Sequence, residues 1–407
     1  MIPEGWTRHK FGAVTRIAEG QVDPRNAPYR SMTHIGPENV ARNTGQISGC
    51  QSCEEIDLIS GKYEFDSNSI VYSKIRPNLN KVCLPKWAGI CSADMYPIWP
   101  VEEHLNLEFL YQYMLGPIFV KRAVACSMRT GMPKVNRADL NGLLVEIPSL
   151  PEQQRIAEIL ATWDRAIETV EALVANARAQ KKALMQSLLT AKKRLPGFAD
   201  AWMSTTLDKA AQIIVSNVDK KSADTERAVR LCNYMDVYRS DRIEADMDFM
   251  AATAAEAQIR KFGLRVGDVL ITKDSETPDD IAIPSFVGST APDLVCGYHL
   301  AIIRPRKETD GLFLKFYFEH PHTRHYFASR ANGATRFGLT IDAIQTAPIA
   351  LPSFDEQQRV AEVIGAAELE IARLHPIAAS LRQEKAALMQ QLLTGKRRVK
   401  ISEKEVA

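Results

Sequence analysis

One stretch of this chain is written twice. From Pro148 it reads PSLPEQQRIAEILATWDRAIETVEALVANARAQKKALMQSLLTAKKRL, and from Pro352 it reads PSFDEQQRVAEVIGAAELEIARLHPIAASLRQEKAALMQQLLTGKRRV. The copies lie 204 residues apart and align without a gap, with 21 of 48 positions identical. Identity clusters at both ends of the stretch, so the chain is a tandem duplication. Each copy reads as one long helix. Steps of four and three from Ile156 pass through Leu160, Trp163, Ile167, Val170, Val174, Ala177, Lys181, Leu184 and Leu188. The same steps from Val360 pass through Ile364, Ala367, Ile371, Leu374, Ala378, Leu381, Lys385, Leu388 and Leu392. This is a heptad seam, polar only at Lys181 and Lys385. At ~1.5 Å per residue the seam is roughly 50 Å long.

Two such helices on one chain most simply pack on each other, although heptads alone leave their direction open. Ser149 with Glu152 and Ser353 with Glu356 have capping-box spacing, and Pro151 suits a first helical turn. Pro376 stands inside the second helix, where a kink or break is expected. The apolar face is wider than a two-stranded seam needs: Met185, Leu189, Met389 and Leu393 lie beside it in both copies. They pack on the chain's own globular blocks or form a docking face for another protein.

Before each helix stands a block of about 150 residues, able to hold its own core. In 1–147, the runs Ser69–Ile75, Lys81–Leu84 and Tyr96–Trp99 read as strands. Leu107–Ala125 reads as helix broken at Gly116-Pro117, and Leu140–Ile147 leads into the first long helix. Residues 196–351 repeat the plan loosely. Trp202 answers Trp6, VLITK (269–273) answers IVYSK (70–74), Ala301–Pro305 answers Tyr96–Pro100, and His320-Pro321 answers Gly116-Pro117. The loop Ala328–Gly338 stands where Ser127–Asn136 stands. MIPEGW at the start resembles LPGFADAW after the first helix, so the plan is nearly cyclic. The fold class expected is α+β. Its parts are a first block (1–147), a first helix (148–195), a second block (196–351), a second helix (352–399) and a tail (400–407). Helices that stay alike while their blocks diverge suit recognition of two different things at a fixed separation.

Composition limits the rest. Net charge is +2, which does not advertise a nucleic-acid binder, and neither block has a clear basic excess. Phosphate neutralisation supplies most non-specific affinity, so weak DNA binding by the isolated chain is expected. The basic runs Lys192–Arg194 and Lys396–Arg398 read as solvated helix ends that complement the dipole. The longest apolar runs fall short of the ~18 residues of a membrane span, and MIPEGWTRHKFG lacks a signal-peptide core. A cytoplasmic location is expected, and the odd count of seven cysteines fits a reducing compartment.

Catalytic signatures are missing. Asn26-Ala27-Pro28-Tyr29 is a near miss for the Asn-Pro-Pro-Tyr of an amino-methyltransferase, and only 25 residues precede it, too few for a cofactor fold. There is no P-loop and no HExxH. Cys50 and Cys53, with Cys83 and Cys91, lack zinc-site spacing and read as reduced thiols. His320, His322 and His325 fall at the helix break and read as a turn.

The whole chain resembles the specificity subunit of a type I restriction-modification system. The carriers are the two EQQR-hydrophobic-AE helix starts, the two ALMQ-LLT-G/A-K endings and the two divergent blocks. Pro376, and Ala191 where the second copy has Gly395, depart from the pattern. The resemblance implies that the blocks are target-recognition domains, each reading half of a split, asymmetric DNA site. It implies an antiparallel coiled coil that sets the gap; a rod of roughly 50 Å suits heads about one DNA turn, ~34–36 Å, apart. It implies two methyltransferase subunits and translocase-nuclease subunits as partners. S-adenosylmethionine, ATP and magnesium belong on those partners, and this chain is expected to be non-catalytic and cofactor-free. For double-stranded DNA the loop candidates in the first block are Lys74, Arg76, Asn78, Asn80, Lys81, Arg129, Thr130 and Lys134. In the second they are Lys273, Arg330, Asn332, Thr335 and Arg336, with Asp274 beside them. Arg suits guanine, Asn suits adenine and Lys grips phosphate. Met185, Leu189, Met389 and Leu393 are the partner-docking candidates. The competing readings are a coiled-coil protein-interaction scaffold without sequence-specific DNA binding, and a self-sufficient modification enzyme, which the missing motifs argue against.

Overall fold

Both repeated stretches form helices of 39 residues, Leu150–Leu188 and Phe354–Leu392. The structure is a computed structural model describing residues 2–127, 133–219 and 222–401. None of the twenty seam residues is exposed. The second helix runs unbroken through Pro376, against the expectation of a break. Ala372, whose carbonyl loses its bond to the missing proline N–H, is exposed, so that carbonyl can be hydrated.

The chain divides into two compact units, 1–171 with 376–407, and 172–375. Each unit therefore holds one block with half of each long helix. The helix halves run antiparallel within each unit. In the first, Lys385 Nζ lies 2.5 Å from Asp164 Oδ1, and Arg398 donates Nε and Nη2 to the Glu152 carboxylate at 2.6 and 2.7 Å. In the second, Lys181 Nζ lies 2.6 Å from Glu368 Oε2, and Arg194 donates the same way to Glu356 at 2.6 and 2.7 Å. The lysines that interrupt the seam thus meet acidic residues, and such buried polar pairs specify register. Glu152 and Glu356 are each 1% exposed. The capping-box reading is corrected here, and the solvated-end reading at Arg194 and Arg398 alone: they form two equivalent bidentate pairs with these carboxylates, while Lys192, Lys193, Lys396 and Arg397 are exposed.

The next residue of each EQQR motif ties helix to block. Gln153 Oε1 accepts from the Asn106 N–H at 2.8 Å, while its Nε2 donates to the carbonyls of His104 and Pro148 at 2.9 Å. Gln357 accepts from the Asp310 N–H at 2.9 Å and donates to Glu308 and Pro352 at 3.1 and 3.0 Å. Both amides are buried and reproduce one network in two places. Asn106 and Asp310 cap the following helices by accepting from the Phe109 and Phe313 N–H groups.

In the first block an antiparallel sheet orders Thr15–Ile17, Met95–Pro100, Ile70–Ser73 and Val82–Cys83. A second orders Gln51–Ser52, Thr33–Ile35, Gly89–Cys91 and Tyr63–Phe65, with one parallel pair. The second block has a five-stranded sheet ordered Ala211–Val215, Leu300–Pro305, Val269–Thr272, Pro284–Val287 and Arg242–Ile243. Its three-stranded sheet orders Met250–Ala254, Arg227–Cys232 and Leu294–Cys296. Each block opens on a strand that pairs with the strand entering its long helix: Thr7–Lys10 with Leu144–Ile147, and Met203–Thr206 with Pro348–Leu351. The helix breaks fall as read, between Leu107–Leu115 and Pro117–Cys126 and between Gly311–Glu319 and Pro321–Arg330. Among the described residues no helix is long and apolar enough to cross a membrane.

The wide apolar face has a destination. Met389 and Leu393 enter the core of the first block with Ile156, Leu160 and Tyr113. Met185 enters that of the second with Phe313 and Ile364, and Leu189 packs at its edge. Met185, Met389 and Leu393 are at most 7% exposed. As a docking face for another protein these four are corrected: burying each on its own block already recovers the ~1.5–3 kcal/mol of an apolar side chain.

Candidate nucleic-acid interface

In the first block the strand Ile70–Ser73 delivers the segment 74–81. Lys74, at its start, is buried. Its ammonium donates to the Ala93 carbonyl and sits 5.0 Å over the Tyr96 ring. Burial and then the nearby Lys134 charge push its pKa down. Arg76 and Asn80 bracket a short turn, Pro77–Leu79, at φ 48° and 45°. Asn tolerates that left-handed conformation, and Asn80 is buried, donating to the Leu115 carbonyl at 3.0 Å. Arg76 has no such local reason, and a strained, exposed arginine is a feature of functional loops. Lys81 is half-buried, with its ammonium on the Pro37 carbonyl.

The later loop returns to the same place. Arg76 N–H donates to the Pro133 carbonyl and Val135 N–H to the Lys74 carbonyl, both at 2.8 Å. Lys134 is thereby bridged to Ile75. Arg76, Asn78 and Lys134 are exposed, so the structure gathers these three, while Lys74, Asn80 and Lys81 are occupied by their own backbone. Arg129 and Thr130 lie outside the described residues.

The second block repeats this placement with different chemistry. Lys273 follows the strand Val269–Thr272, and its Nζ is 3.2 Å from Asp274 Oδ1. The other oxygen of Asp274 meets His299 Nδ1 at 2.5 Å. Asp274–Ser275 pairs with Phe337–Gly338, and Asn332 pairs with Gly338 through both backbone bonds. The resulting hairpin needs Gly333: its φ is +151°, and a Cβ there would stand 1.8 Å from the Arg336 carbonyl. Asn332, Thr335 and Arg336 are exposed on it. Arg330 is exposed as well, its guanidinium 5.4 Å over the Tyr326 ring.

Arg336 and Asn332 border a cleft of about 730 Å³ whose other walls include Tyr234, Tyr238, Tyr298 and the carboxylates of Asp274, Glu276 and Asp280. Tyr234 and Tyr238 stack at 5.6 Å. The Tyr238 hydroxyl donates to Asp280 at 2.8 Å, and that bond raises its pKa. Stacked tyrosines beside arginine and amide donors suit contact with bases, since every base offers a π-face and a polar edge. The tyrosines escaped the sequence reading, although their i, i+4 spacing on the helix Tyr234–Arg239 was a usable signal.

Two candidate metal sets resolve into ordinary packing. The Cys53 and Cys83 thiols donate to the Met32 and Val71 carbonyls, and His320 caps the helix Pro321–Arg330. The carboxylates of Asp241, Glu319 and Glu368 do converge. Lys181 and Lys315 stand among them, with Lys181 Nζ 2.8 Å and Lys315 Nζ 2.5 Å from Glu319. Two ammonium groups already supply the positive charge a metal would bring.

The fold and these loops define a class: a tandemly duplicated α+β protein in which each of two units carries a diverged loop surface beside an antiparallel pair of helix halves. Residues 3–176 match the family described as Type I restriction modification DNA specificity domain. The EcoDI type I restriction enzyme specificity subunit of Escherichia coli is 37% identical over 188 residues, covering 46% of this chain and 41% of that protein. The matched stretch thus spans less than half of that relative's length. The MjaVIII type I restriction enzyme specificity subunit of Methanocaldococcus jannaschii is 22% identical over 98% of this chain and 94% of its own. The crystal structure of a type I restriction-modification S subunit from M. genitalium shares the fold at a TM-score of 0.60, with 14% identity, 96% of this chain and 99% of that one covered. Residues 3–176 therefore carry a type I restriction-modification DNA specificity domain, and the chain is similar to such specificity subunits along nearly its whole length.

Proposed function

We propose that this chain is the non-catalytic, DNA-reading subunit of a type I restriction-modification complex. Each block reads one half of a split, asymmetric site in double-stranded DNA, and the helical pair sets the gap. Two methyltransferase subunits dock on it to methylate adenine, and translocase-nuclease subunits join for cleavage. S-adenosylmethionine, ATP and magnesium are held by those partners. One observation carries the reading: a single plan is written twice, with the helix-to-block contacts of Gln153 and Gln357 preserved and the loop chemistry changed. A protein that needed two equal binding heads would have no use for that asymmetry.

Within the blocks, the exposed sets Arg76, Asn78 and Lys134, and Asn332, Thr335 and Arg336, lie where the loop after a matching helix pairs with the segment after a matching strand. Arginine and asparagine offer the paired donors and acceptors that read guanine and adenine in the major groove. The test is to co-express the chain with the methyltransferase encoded beside it and to map methylated adenines across the host genome. A split motif with two fixed halves is the expected result. An assembled complex that binds the methyl donor yet yields no motif would favour the protein-interaction scaffold. In the same assay Arg336→Ala is expected to relax one base of one half only, by about 1–3 kcal/mol of discrimination. Lys74→Met should leave both halves unchanged, because the Lys74 ammonium is turned into the protein. Relaxation of both halves by Arg336→Ala would contradict its placement.

A further inference from the structure

Three carboxylates line the cleft of the second block, and they are not alike. Both oxygens of Asp274 are taken, by Lys273 at 3.2 Å and by His299 at 2.5 Å. Asp280 accepts from the Tyr238 hydroxyl at 2.8 Å. Glu276 is exposed on the cleft wall and, among the described residues, makes no side-chain hydrogen bond or ion pair. Arg336 lines the same cleft in the same state.

The two are neighbours by register. Asp274 pairs with Gly338 and Ser275 with Phe337, antiparallel, so the next step along the ladder sets Glu276 opposite Arg336. Side chains directly opposite share one face and stand roughly 4.5–5.5 Å apart at Cβ. An opposite-charge pair so placed supports a sheet when it closes. This one stays open, and it offers the cleft an acceptor and a forked donor side by side.

Phosphate is the wrong ligand for Glu276, because a carboxylate beside Asp274 and Asp280 repels the negative backbone. A base edge is the right one. In the major groove the cytosine N4 amino group donates, which suits a carboxylate, and guanine O6 and N7 accept together, which suits the arginine fork. One guanine–cytosine pair presents all three on a single edge. In an adenine–thymine pair the N6 donor lies between two acceptors, so the fork finds no adjacent pair. The first block is built differently: counted from the matching strands, Pro77 stands where Glu276 does, beside the exposed Arg76 and Lys134.

On the DNA-reading function proposed above, we propose that Glu276 and Arg336 together read one guanine–cytosine pair in the half-site of the second block. Glu276 accepts from cytosine N4, and Arg336 donates to guanine O6 and N7.

The test is Glu276→Ala, prepared as the complex with the methyltransferase encoded beside this chain. Thermal unfolding is the control for folding and should not change, since the carboxylate bonds to nothing in the chain. In methylated-adenine mapping, the unaltered complex should give a split motif, and Arg336→Ala should relax a guanine–cytosine pair in one half. Glu276→Ala should relax that same pair and no other. In competition between duplexes that differ at that pair alone, discrimination should fall by about 10- to 100-fold. A carboxylate that only repels DNA would, once removed, raise affinity for every duplex alike and leave the motif fixed; that result would overturn the inference. So would relaxation at an adenine–thymine pair or in the other half. Each of these outcomes leaves the proposed function standing, whereas an unaltered complex that yields no split motif would remove both.

Discussion

Glu368→Ala is expected to destabilise the second unit by about 3–5 kcal/mol, the cost of leaving a buried charge without its partner. Lys315 has a fully buried side chain, and its ammonium is shared between Glu319 and Glu368, with Asp241 at 3.6 Å. Lys181 draws on the same two glutamates. Burial opposes its charge, but Glu319 and Glu368 outweigh that and hold its pKa above the ordinary lysine value. Removing Glu368 leaves two ammonium groups on Glu319, with only the exposed Asp241, 3.6 Å from Lys315, to share the charge. Urea unfolding, together with hydrogen exchange across the helix Gly311–Glu319, measures the loss. The double change Lys315→Met with Glu368→Met leaves Lys181 and Glu319 matched one to one. It should recover most of the stability, because an apolar pair of similar size replaces a buried ion pair at little cost. An unchanged midpoint for Glu368→Ala would mean that water already reaches the cluster.

On the proposed function, exchange of residues 196–351 for the corresponding block of a type I specificity subunit is expected to replace one half of the methylated motif completely and leave the other half as it was. The junctions are physically suitable. The strands Met203–Thr206 and Pro348–Leu351 pair with each other, so both travel with the block. The helix ends that cross into its core, Met185, Leu188, Val360 and Ile364, stay behind as an apolar seat. The incoming block must offer a backbone N–H to Gln357, where Asp310 does now, and a neutral or basic residue at Lys315, facing Glu368. Methylated-adenine mapping reads the outcome. A motif changed in both halves would show that the blocks do not read independently.

The repeated helices and the block plan were legible because both rest on local pattern. Seam periodicity, the Gly116-Pro117 and His320-Pro321 breaks and the strands at Ile70–Ser73 and Met95–Pro100 depend on neighbours within a few residues. Pro376 is the exception: the proline forfeits one backbone bond without breaking the helix. The candidate site was legible at the level of loops and not of residues. Lys74 and Arg76 look equivalent in sequence, yet one is drawn under Tyr96 and the other left exposed. Strand alternation alone could not tell them apart in a turn.

Duplication, helix length, heptad seam and the division into two unlike blocks belong to the sequence by itself, since each is a property of order along the chain. Three things were decided only by tertiary structure. Met185, Leu189, Met389 and Leu393 turn into the chain's own cores. Glu152 and Glu356 leave their local caps for Arg398 and Arg194, 246 and 162 residues away. Lys315 is buried among carboxylates that no motif connects to it. Each turns on which distant group arrives beside a side chain, and the low dielectric of a closed interior makes that encounter worth several times what the same groups feel on the surface.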